Sequence, residues 1–140
     1  MLQLKELFSD LQNQTEKALK EIENSDHSIA ILLQTILKEQ LDMVKKLMLE
    51  LSNDGADLKN MTEFLTIIYH DNEIANPTFR AWKRAVEWMS LPYLESVRNL
   101  EPLFQEIKTN LEHSAAELEK IYGAKQTKYI IPSFYISSLR

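Results

Sequence analysis

Hydrophobic residues recur along most of this chain at alternating three- and four-residue gaps. The longest run is Tyr93, Val97, Leu100, Phe104, Ile107, Leu111, Ser114, Leu118 and Ile121, in which only Ser114 is polar. Such spacing places every side chain on one narrow face of an α-helix, and that face is stable only when other helices cover it. A second run, Leu4, Phe8, Leu11, Thr15, Ala18 and Ile22, predicts a first helix ending near Glu23. Asn24, Ser25 and Asp26 follow. Their short side-chain oxygens suit the N-cap of a second helix, so a tight turn is expected there.

The second helix carries Ile29, Leu33, Ile36, Leu37, Val44, Leu47 and Leu51, with Leu32, Leu41, Met43 and Met48 beside them. This face is broader than a single seam and predicts contact with two neighbours. Asn53-Asp54-Gly55 reads as its stop, because glycine takes the left-handed conformation that closes a helix. A third helix is expected from about Asp57 to Tyr69, on Leu58, Met61, Leu65 and Ile68, with Phe64, Ile67 and Tyr69 alongside. Asp71, Asn72 and Asn76-Pro77 then interrupt the pattern. Asn76 as N-cap and Pro77 at the first helical position predict a fourth helix starting there, with Phe79, Trp82, Val86 and Met89 as its stripe.

At Pro92 the repeat changes phase, since Met89, Tyr93 and Val97 are separated by two successive four-residue gaps. A helix unbroken from Thr78 to Tyr122 would be roughly 68 Å long, so a kink or break is expected at Pro92. Pro102 predicts a further bend, and Gly123 a C-cap. The expected fold is all-α: an antiparallel, up-and-down bundle of four to five helices, in which the third and fourth together make one leg. The bundle domain spans 1–123. An extended apolar tail, 124–140, is expected to pack on the bundle or on a neighbouring subunit.

Composition agrees with long helices. The 140 residues contain only two glycines and four prolines, and 44% are hydrophobic. That length suits one domain with its own core. Without cysteine, disulfides, thiol catalysis and cysteine-held metal centres are excluded. The charged residues Lys5, Glu6 and Asp10 interleave the first apolar positions, and no uncharged run approaches the ~20 residues of a membrane span. A soluble, cytoplasmic protein is therefore expected. The net charge of −5 opposes nucleic acid and anionic membrane surfaces and favours a basic ligand or partner.

The chemistry-bearing residues form no catalytic signature. A di-iron bundle needs Glu-x-x-His pairs, yet Ile67 stands three before His70 and Asn110 three before His113. His113 lies beside the seam, His70 off its stripe and His27 in a turn, which places all three outward and leaves no metal or other cofactor to expect. Glu106, Glu112, Glu117 and Glu119 fall away from the seam as a solvated face, and both glycines read as helix stops, not as a phosphate loop. These absences speak against an enzyme. Arg80, Lys83 and Arg84 interleave with Trp82 and Trp88, but three cations in an acidic chain read as a solvated helix face.

Two features point to a partner. Trp88 shares a second helix face with Ala81 and Ala85, either as core on a helix buried from two sides or as an interface anchor. In the tail, Tyr129, Ile131, Phe134, Tyr135, Ile136 and Leu139 belong to an uncharged stretch interrupted by Pro132. Such a segment folds back on the bundle, exchanges between subunits, docks in a partner, or is an aggregation liability. The expected function is that of a non-enzymatic interaction protein, an adaptor, chaperone or immunity-like module, with a protein partner or self-association as a dimer. The alternative is a ligand- or metal-binding bundle with a pocket near Trp82, Trp88 and Tyr93 or near the histidines.

Overall fold

Each heptad seam needs a neighbour to cover it, and four helices satisfy one another in the computed structural model, which describes residues 2–25, 27–53, 57–89 and 94–123. The helices are α1 (Leu2–Ile22), α2 (Ser28–Ser52), α3 (Leu58–Met89) and α4 (Leu94–Tyr122). Each packs on its chain neighbours, and α1 also packs on α4, which closes an up-and-down ring. The described residues contain no strand. The expected all-α antiparallel bundle is therefore present, with four helices; the tail lies outside the described residues.

The predicted fourth helix is the second half of α3. Asn76-Pro77 does not start a helix: Pro77 lies inside α3, and Asn76 Nδ2 donates to the Asn72 carbonyl and to Asn72 Oδ1, both at 3.1 Å. Proline removes the bond to the Glu73 carbonyl and costs about 3 kcal/mol in a helix interior. Against that stands the burial of Phe79, Trp82 and Val86, each worth roughly 1.5–3 kcal/mol. Packing outweighs the local breaker. α3 is described to Met89 and α4 from Leu94; Pro92, where a kink or break is expected, and Tyr93 lie outside the described residues. Pro102 lies within α4 without ending it.

The helix ends follow local chemistry. His27, not one of the three preceding residues, caps α2: its Nδ1 accepts from the Ile29 amide at 3.2 Å. Asp57 Oδ1 accepts from the Lys59 amide at 2.8 Å at the head of α3. Gly123 has φ +91°, and its amide donates to the Glu119 carbonyl at 2.8 Å, the left-handed closure expected of it.

The core is in two halves. One gathers Leu4, Phe8, Leu11, Val44, Leu47, Leu65, Ile68, Ile107, Leu111 and Leu118. The other gathers Ala18, Ala30, Leu33, Leu37, Ala75, Phe79, Trp82, Val97, Leu100 and Phe104. Along α1, α2 and α3 the residues between the halves are polar and buried: Thr15, Gln40 and the neighbours Asp71 and Asn72. Gln40 Nε2 donates to Thr15 Oγ1 at 3.1 Å, and Thr15 Oγ1 donates to the Leu11 carbonyl at 2.7 Å.

Ser114 is fully buried, as its seam position requires, and its hydroxyl donates to Asn110 Oδ1 at 3.1 Å. Asn110 Nδ2 in turn donates to the Leu7 carbonyl at 2.8 Å, tying α4 to α1. At the other end of that pair Asn99 Nδ2 donates to Glu21 Oε1 at 3.0 Å. This register carries Ile121 past the first residue of α1, and Ile121 is exposed although the stripe predicts it inward. Leu32 is exposed as well, so the broad face of α2 is covered less completely than its composition implies.

Candidate functional site

At its midpoint α3 turns two consecutive polar residues to two different neighbours. Asp71 lines a groove against α2, and Asn72 lines a groove against α4. Both side chains are buried, at 5% and 4% exposure. Each also has an atom without a hydrogen-bond partner, Asp71 Oδ2 and Asn72 Nδ2. Buried polar atoms of native proteins are nearly always paired, so two such residues in succession mark this turn of α3 as a candidate site.

The α2–α3 groove has a volume of about 590 Å³ and is lined by Glu39, Thr66, Ile67, His70, Asp71, Glu73 and Ile74. Ile67, His70, Asp71 and Ile74 share one face of α3 through their three- and four-residue spacing. Burial pushes the Asp71 carboxyl from its ordinary 3.8 up to about 7. The Glu39 charge and a hydrogen bond to the Glu39 side chain act in the same direction, and His70 opposes them. Two carboxyls held this close favour sharing one proton over carrying two negative charges.

The α3–α4 groove holds about 570 Å³. These two helices make the least intimate contact of the ring. Phe79 and Phe104 bridge them as a stacked pair, with ring centres 4.8 Å apart and planes 28° from parallel. Above the stack stand Asn72, Asn76, Arg80, Gln105 and Lys108, with Glu73, Glu101 and Glu112 balancing the cations. Lys83 Nζ meets Glu101 Oε1 at 2.8 Å across the two helices.

Trp82 is fully buried in the core and lines neither groove. Trp88 belongs to the last turn of α3, but its side chain lies outside the described residues, as do Tyr129, Ile131, Phe134, Tyr135, Ile136 and Leu139. Of the histidines, His27 caps α2, while His70 and His113 are exposed on α3 and α4. Among the described residues no three histidine, aspartate or glutamate side chains converge to hold a metal ion. No described helix is long and apolar enough to cross a membrane. Sequence reasoning passed over Asp71, Asn72 and Gln40. A signal for two of them exists: Asn72 and Gln40 both fall on the three–four spacing of their helices.

The chain matches no known family, no curated protein and no solved structure.

Proposed function

We propose that this chain is a non-enzymatic helical interaction protein of the cytoplasm, binding a protein partner or a second copy of itself through the outer surface of the α2–α3 pair. One observation carries the reading. Ile31, Leu32 and Leu49 on α2 and Ile67 and Ile74 on α3 are exposed large hydrophobics, whereas α1 presents none among its described residues. Single exposed apolar residues are ordinary, but five on two adjacent helices favour association. The Trp88 side chain and the tail from Tyr129 to Leu139 add apolar and aromatic groups suited to the same work.

Affinity capture from the native host, joined to sedimentation of the purified protein, tests this. The full chain should self-associate or retain a partner. Leu32→Lys with Leu49→Lys and Ile67→Lys should abolish that association without changing the fold, since all three side chains are exposed. A monomer that captures nothing, or an association indifferent both to these substitutions and to ending the chain at Gly123, overturns the reading.

A second reading, a ligand-binding bundle, is favoured by the unpartnered Asn72 Nδ2 bordering the aromatic-floored α3–α4 groove. A small molecule with an acceptor would satisfy that amide. Saturable shifts of the Asn72 side-chain signal on adding a host metabolite extract, lost in Asn72→Leu, would support it, and their absence would dismiss it.

A further inference from the structure

The lining of the α2–α3 groove holds three carboxyl groups and no lysine or arginine. Asp71 is buried in its wall, no N–H or hydroxyl among the described residues donates to its Oδ2, and its side-chain hydrogen bond is to another carboxyl, Glu39. Glu39 faces it from α2, and Glu73 adds a third carboxylate to the lining. His70 is the one titratable nitrogen there. The chain meets the crowding of these carboxyls by keeping a proton on Asp71, and a cation seated there would let both carboxylates ionise. Because no three such ligands converge among the described residues, an organic cation fits better than a metal ion. On either side of Asp71, Ile67 and Ile74 expose apolar surface on the same face of α3, suited to the methylene stem of a long basic side chain.

We propose that this groove docks a basic, amphipathic segment of a partner protein, seating a lysine ammonium between Glu39 and Asp71 and laying its apolar residues on Ile67 and Ile74. The proposal rests on the interaction reading and gives that surface a partner chemistry. Charge complementarity carries the choice of occupant: the groove is lined by three carboxylates, and the whole chain has a net charge of −5. Docking replaces the proton shared by Glu39 and Asp71 with the ammonium. Because burial and Glu39 keep that proton on Asp71 up to about pH 7, binding strengthens as pH rises through about 7.

The test uses the full chain with its isoleucine methyls labelled for NMR, titrated with a short amphipathic peptide of leucine and lysine. The Ile67 and Ile74 methyl signals should shift saturably. Asp71→Asn should weaken binding by about tenfold, while Glu6→Gln, which removes the same charge from α1, should leave affinity within about twofold. Unfolding curves verify that both variants are folded. Equal weakening by the two substitutions would reduce the effect to overall charge and overturn the proposal, as would the absence of any shift at Ile67 and Ile74.

Equal affinity for a leucine–glutamate peptide would remove the cation from the site. Equal affinity for hexylammonium alone would make the occupant a free amine. Either result overturns the docking of a lysine segment. A host partner captured equally by the wild type and by Asp71→Asn would overturn the proposal while leaving the interaction reading in place.

Discussion

The two flanks of α3 are built from one helix and differ in almost every physical respect. Toward α2 the packing is close, and the groove over it is carboxylate-lined and edged by isoleucines. Toward α4 the helices stand apart, held by an aromatic stack beneath amides and mixed charges. One step along the chain, from Asp71 to Asn72, separates the two environments. A single turn of helix can thus serve two chemistries when its neighbours approach at different distances.

The largest blow to this contrast should come from Phe104→Ala. Phe104 is buried against Phe79, and truncating a packed phenylalanine costs about 3–5 kcal/mol. Chemical denaturation should record a loss of that size, and a loss below about 1 kcal/mol would mean that the stack does not hold the α3–α4 flank together.

The other flank should respond to pH. Asp71 titrates near 7 in the folded chain against an ordinary 3.8. Between these values the folded chain keeps a proton that the unfolded chain has released, so stability falls as pH rises through the window and levels off above about 7. Asp71→Asn has no proton to lose and should be more stable than the wild type by roughly 1–2 kcal/mol at pH 8, with the advantage vanishing near pH 4. Denaturation curves at the two pH values measure it; a constant difference would contradict the assignment.

The smallest effect belongs to the surface of the wide flank. Lys83 and Glu101 are both substantially solvated at their 2.8 Å contact. Lys83→Ala should therefore change stability by no more than about 0.5 kcal/mol, in contrast to the Phe104 substitution a few residues away in the same seam.

The architecture was legible because the seams are. Leu4 through Ile22 on α1 and Val97 through Leu118 on α4 are buried where the spacing places them, including polar Thr15 and Ser114. On α3 the spacing Leu65, Ile68, Asn72, Ala75, Phe79, Trp82 and Val86 also continues without a fault. Reading Asn72 as a turn residue, together with Asn76-Pro77, divided one helix into two. Pro77 falls off that stripe, so its missing amide does not interrupt the packed face.

The grooves were less legible because they depend on distances between helices. That Glu39 stands beside Asp71 follows from the α2–α3 register, which no local pattern specifies. That α3 and α4 leave space between them follows from the size of Phe79 and Phe104 meeting ring to ring. Asp71 itself lies beside the stripe, where a charged residue ordinarily reaches solvent.

Pro77 also shows where the helicity of α3 comes from. Outside the bundle, residues 58–89 have nothing to offset a proline penalty of about 3 kcal/mol, so the stretch from Ala75 to Val86 has no means of extending the helix that precedes it. It becomes helical when α2 and α4 are present to bury its stripe. The helicity of this half of α3 therefore draws on tertiary packing and not on local propensity.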